Sequence, residues 1–200
     1  MKLITKLEDF VGTALIPNAI DVAPGSDLTG NAKELQEFIE IYEPEAMMLV
    51  LGFSLYEELK SNLDVNGELP SGVDQKWIDL VDGKERYRGL KSLTKHYIFY
   101  KFLENDVAQY TGVGIATEKP KGATIVGATE KAVKAWNIFY DHTVGKNASP
   151  TIIRRGFGMG VIYNSEDNYY QPLQEFLRRN NDVYENATFT TIENMNFYGL

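Results

Sequence analysis

The 200-residue chain has no cysteine and only two histidines. The first absence excludes disulfides, thiolate catalysis and cysteine-ligated zinc, and fits folding in a reducing cytoplasm. No stretch approaches the run of about 20 apolar residues that a membrane-spanning helix needs, so no membrane partner is expected. The opening Met1-Lys2-Leu3-Ile4-Thr5-Lys6 has neither a long apolar core nor a small-residue cleavage site, so no signal peptide is expected. Positive charge is also in short supply. Twenty Lys and Arg face 28 Asp and Glu, a net of −8. Broad binding to a phosphate backbone would need a compensating basic patch.

What is present is ordinary hydrophobic content, 44%, with an unusual share of aromatics: 12 Tyr, 10 Phe and 2 Trp. Aromatics in that number fill a core or anchor contacts with another chain. The acid is unevenly spread. Residues 1–100 hold 17 acids and 10 bases, whereas residues 101–200 hold 11 and 10.

Residues 1–30 are apolar in bursts broken by Gly12, Pro17, Pro24, Gly25 and Gly30, and read as an extended N-terminal arm. A helical pattern then begins. Leu35, Phe38, Ile39 and Tyr42 share one face, while Glu34, Glu37, Glu40 and Glu43 wind around the other, which reads as solvated. Pro44 is expected to end this helix, because it lacks an N–H and clashes with the preceding turn. A short buried helix over 45–51 should follow, then one opened by a capping box at Ser54-Leu55-Tyr56-Glu57. Another short helix is expected over 74–81, carrying Trp77 and Leu80. The longest spans 90–110, and its middle is apolar almost all round, as a central helix must be. A Gly- and Lys-containing connector over 111–127 leads to a helix over 128–142. Beyond it come a Gly-rich segment, a short helix starting near Pro172, and an extended tail. The expected fold class is therefore mainly α. A compact helical bundle surrounds a long central helix over residues 31–142, with an arm over 1–30 and a loop, short helix and docking tail over 143–200.

Catalytic signals are sparse. His96 and His142 have no second ligand at helical metal-site spacing, so each reads as a packing or surface residue. Gly156-Phe157-Gly158-Met159-Gly160 lacks the dinucleotide fingerprint, and no phosphate loop, nucleophile elbow or EF-hand loop occurs. No cofactor or metal is expected. The acids are numerous, but none form a pair singled out for an apolar cleft. The residues with a reading beyond packing are interaction candidates. The doublets Arg154-Arg155 and Arg178-Arg179 could meet an acidic face on a neighbouring copy, such as the helix carrying Glu34, Glu37 and Glu40. The tail bearing Phe189, Phe197 and Tyr198 is too aromatic to fray, and should dock on its own domain or on another subunit.

Several segments carry a resemblance. They are Leu51-Gly52-Phe53-Ser54-Leu55-Tyr56-Glu57-Glu58-Leu59, residues 77–83, the long helix through Leu93-Thr94-Lys95-His96-Tyr97-Ile98-Phe99-Tyr100-Lys101, the helix with Lys134-Ala135-Trp136-Asn137, and the closing Phe197-Tyr198-Gly199-Leu200. Their order resembles the head–tail connector (adaptor) proteins of tailed bacteriophages. The likeness is greatest to those of phages infecting Bacteroidota, including the neck ring proteins of crAss-like phages. It covers about residues 30–142 and the C-terminus. The resemblance implies a structural virion protein without enzymatic activity, made in the host cytoplasm and placed at the head–tail junction. It would form a homo-oligomeric ring, typically a dodecamer, that touches the portal protein and adjacent tail or neck ring proteins. DNA would pass through the lumen without specific binding during genome ejection. Two other classes stay open on the residues alone. One is a small helical enzyme, a carboxylate-dependent hydrolase with acids converging near Trp77, His96 or Trp136. The other is a monomeric helical module for an apolar ligand.

Overall fold

A computed structural model describes residues 2–16, 19, 30–107, 109–111, 114–116, 128–145, 170–193 and 195. The protein is mainly helical. Two short 3-10 turns, Leu7–Asp9 and Gly12–Ala14, precede α1 (Gly30–Leu51), α2 (Phe53–Ser61), α3 (Gln75–Val81) and α4 (Leu90–Val107). A small antiparallel hairpin, β1 (Gln109–Thr111) and β2 (Gly114–Ala116), pairs Tyr110 with Ile115. Then come α5 (Ala128–Thr143) and α6 (Leu173–Arg179).

The helix α1 runs straight through Pro44. Proline in a helix interior costs about 3 kcal/mol. Beyond it, however, Met47, Val50 and Leu51 are buried, each worth about 1.5–3 kcal/mol. Continuation therefore wins, and the two helices expected on either side of the proline are one. The predicted capping box is not the start of α2 either. Its N-cap is Gly52, with no side-chain cap, and Ser54 is exposed inside the helix. Gly52 holds φ at 76°, and a Cβ there would overlap Thr188 Oγ1. Only glycine allows that backbone and that crossing. By contrast, Asp74 caps α3 through its side chain, which accepts from Lys76 N at 3.0 Å.

The core lies around α4, which packs against α5, α1 and α3. Five successive residues of α4, from 96 to 100, are buried, because α4 separates two apolar clusters. Leu90, Leu93 and Tyr97 face the cluster that α2, α3, α5 and α6 complete with Leu59, Trp77, Phe139 and Phe176. Ile98, Phe99, Phe102 and Leu103 face a second cluster with Leu35 and Ile39 of α1. Tyr42 and Trp136 touch both. The N-terminal segment is part of this second cluster: Phe10, Ala14 and Ile16 are almost fully enclosed. C-terminal residues join the first through Leu173, Leu177, Tyr184 and Ile192. The flanks of the helical region thus contribute to one continuous interior.

Candidate functional site

The outward side of α1 is the most unusual surface. Its inner side buries Leu35, Ile39, Met47 and Val50. Its outer side leaves Ile41 61% and Met48 45% exposed, and just past the Gly52 turn Phe53 is 68% exposed. Glu37 and Glu40 are exposed on the same helix, and Glu34 is half-buried. Glu40 accepts from Gln36 Nε2 at 3.0 Å, and Glu34 accepts from Asn105 Nδ2 at 3.1 Å. Among the described residues no lysine or arginine pairs with any of these three acids.

Glu43 departs from the expected solvated face. It is 1% exposed. One carboxylate oxygen accepts from Ile4 N at 2.8 Å and the other from Thr5 N at 2.7 Å. It therefore anchors the N-terminal segment to the inside of the fold. Burial raises its pKa above the ordinary carboxylate range, although donors from Thr5 and Ile4 pull the other way. Helical spacing puts residue 43 on the inner side, four residues after Ile39 and four before Met47, once the helix is continuous through Pro44. Further links hold that segment: Lys2 Nζ donates to the Lys60 and Leu63 carbonyls, and Lys6 pairs with Glu68.

The second basic doublet is occupied by its own chain. Arg179 pairs with Glu175 one turn back on α6, and the Arg178 guanidinium lies 5.4 Å from the centre of the Phe189 ring. Phe189 remains 41% exposed. Arg154, Arg155, Phe197 and Tyr198 lie outside the described residues, as do 117–127 and 146–169. The described part of the tail docks on its own domain, one of the two expected outcomes. Thr188 N donates to Leu51 O at 3.2 Å, and Ile192 is buried. Trp136 Nε1 donates to Glu193 O at 2.8 Å. The Asn137 amide imitates a backbone, donating to Met195 O and accepting from Met195 N, both at 3.0 Å.

Two further groupings were not visible in the sequence. Lys101 of α4 lies 5.5 Å from the ring centres of Tyr42 and Tyr97 and 5.7 Å from that of Tyr100. Glu45 and Glu104 flank it at 3.8 and 3.9 Å. The Tyr97 hydroxyl donates to Glu45 at 2.5 Å and that of Tyr100 to Glu104 at 2.6 Å. Burial, then the adjoining carboxylate, pushes both phenols up. The spacing 97, 100, 101 gave these residues as one buried run, with no sign that α1 would supply Tyr42 and Glu45. Chemically this set is a cation held by rings and carboxylates, and it ties α4 to α1.

The second grouping is the histidine pair. His96 and His142, 46 residues apart, meet edge to face with ring centres 5.6 Å apart. His96 is buried, and its Nδ1 faces the Ser92 carbonyl at 2.7 Å while Nε2 faces the Thr13 hydroxyl at 3.1 Å. These partners suit a neutral ring with the proton on Nδ1. Burial depresses its pKa to about 4. Among the described residues no three His, Asp or Glu side chains gather as metal ligands. Of the three places where acids could have converged, Trp77 is 1% exposed and His96 4%, and Trp136 is half-buried.

Comparison with protein-family models, with curated proteins and with solved structures gives no match to this chain.

Proposed function

We propose that the chain is a structural virion protein that assembles into an adaptor ring between the portal and the tail of a bacteriophage. The observation that carries this reading is the outer side of α1. Ile41, Met48 and Phe53 are exposed there, on a helix whose Glu34, Glu37 and Glu40 have no basic partner among the described residues, and most other described aromatics are buried. Contiguous exposed apolar groups on a soluble chain mark a contact with another molecule. A closed ring requires a head-to-tail interface between two different patches of one chain. The acidic first half of the sequence and the basic segments of the second half provide two such patches. The resemblance implies a ring, typically of twelve copies, that contacts the portal and adjacent neck or tail proteins. An acidic lumen would repel DNA and let it pass without specific contact.

Co-expression with the portal, followed by mass measurement and electron microscopy, tests the reading. Rings, alone or seated on the portal, are the expected result. A chain that stays monomeric in every condition, portal included, refutes it.

A further inference from the structure

Resting on the ring reading, we propose that the outer face of α1, with Ile41, Met48 and Phe53 at its centre, is the seat for residues 149–163 of a second copy of this chain. Ile41 and Met48 are seven residues apart and so lie on one side of the helix. Phe53 extends the apolar strip past Gly52. From residue 34 to residue 59 the chain has seven acids and not one lysine or arginine. A partner for this face must bring apolar side chains together with positive charge and no acid.

Two stretches of the chain have that composition: residues 119–129, with Lys119, Lys121, Ile125 and Val126, and a longer one that adds an arginine doublet and an aromatic. Between residues 142 and 165 there is no Asp or Glu, while Lys146, Arg154 and Arg155 provide three positive charges. Ile152, Ile153 and Phe157 supply the apolar groups beside the doublet. The competing doublet on α6 is already engaged by Glu175 and Phe189. Chain length permits the reach. The positions on either side of residues 146–169 lie together, since a Cβ on Gly145 would stand 2.9 Å from Pro172 Cγ. Twenty-four residues that leave and return at one point extend at most about 40 Å, taking roughly 3.3 Å per residue for half of them. That is about the width of one such domain. Each copy would give its segment to one neighbour and receive another's on α1, the heterologous arrangement that a ring needs.

The test is a labelled peptide of residues 149–163 titrated into the full-length protein and followed by fluorescence anisotropy, with sedimentation velocity on the same samples. Saturable binding that weakens with added salt is expected. The pair Ile41→Asp and Met48→Asp should reduce peptide affinity by about tenfold or more, as charge placed in an interface centre does. The same pair should break wild-type assemblies into smaller species, with circular dichroism unchanged. A second, purely surface pair, Glu37→Arg with Glu40→Arg, should weaken the native peptide and restore a peptide carrying Arg154→Glu and Arg155→Glu. Absence of peptide binding overturns the proposal, as does equal binding by the wild type and both variants. Rings that persist in both variants overturn it while leaving the adaptor reading intact. If only portal binding is lost, the face belongs to the portal and the proposal fails. If the wild type is already monomeric at the concentration used and removal of 149–163 tightens peptide binding, the segment sits on its own chain, which also refutes it. A wild type that never assembles, even with portal, overturns both.

Discussion

Replacing Glu43 by alanine tests the internal latch between the N-terminal segment and α1. The carboxylate accepts from two buried backbone amides, Ile4 N and Thr5 N. Without it both amides lose their acceptor, at a cost of about 1–3 kcal/mol each. Part of this is offset, because removing the side chain also removes a buried carboxylate whose desolvation raises its pKa. The net destabilisation should be about 2–4 kcal/mol. It should be local in character: the Ile4 and Thr5 amides should exchange much faster with solvent, and residues 2–16 should become sensitive to protease. Urea unfolding, amide exchange and limited proteolysis measure these effects. Glu43→Gln adds the sign of the pH dependence. The carboxyl has a higher pKa folded than unfolded, so its titration adds stability that is fully present below the unfolded value and lost as pH rises through the folded one. The wild type should therefore gain stability relative to Glu43→Gln as the solution is acidified. A Glu43→Ala protein within about 0.5 kcal/mol of wild type, with unchanged exchange at Ile4 and Thr5, refutes the latch.

His96 has the opposite dependence. Its pKa falls to about 4 on folding, so its contribution is intact above the unfolded value near 6.5 and declines as pH falls toward 4. About 2 kcal/mol should be gone by pH 5, and unfolding curves of His96→Gln should lack this slope. Trp77→Ala should cost about 3–5 kcal/mol, since the ring is fully enclosed. The half-buried Trp136 should cost less, about 1–3 kcal/mol, while freeing Glu193 and the tail; equal losses in chemical denaturation would contradict the burial difference. Gly52→Ala should loosen the tail at Thr188 and cost about 1–3 kcal/mol through its left-handed backbone. Unchanged proteolysis of residues 187–195 in that variant would show that the crossing does not hold the tail.

The positions of α4 and α5 were readable from the apolar spacing, because each is long enough to show its period. The helix expected over 90–110 is found at Leu90–Val107 and that over 128–142 at Ala128–Thr143, but at 18 residues the former is not the longest: α1, continuous through Pro44, has 22. Pro44 misled because local propensity favours a break, while burial of Met47, Val50 and Leu51 lies on contacts far away in sequence. Glu43 misled with it: ending the helix at Pro44 hid that residue 43 is in register with Ile39, Met47 and Val50, and the Ile4 and Thr5 amides then satisfy its buried carboxylate. Glu37 and Glu40 are exposed as read, whereas Glu34 is half-buried against Asn105. Arg178 and Arg179, read either as surface charge with local salt bridges or as partners of an acidic face on a neighbouring copy, are exposed and lie beside Phe189 and Glu175; Glu175 is one turn back, whereas Phe189 is brought there by the fold.

The sequence by itself determined that this chain has no thiol chemistry, that it is helical, and that its acid is concentrated in the first hundred residues. Those properties follow from composition and short-range period, and no fold can change them. Only the tertiary structure decided that the Ile4 and Thr5 amides meet Glu43, that His96 meets His142, that Lys101 finds three tyrosine rings, and that Ile41, Met48 and Phe53 are left outside. Each depends on elements distant in sequence meeting in space, and the free energy of burying or pairing a side chain exists only once they meet.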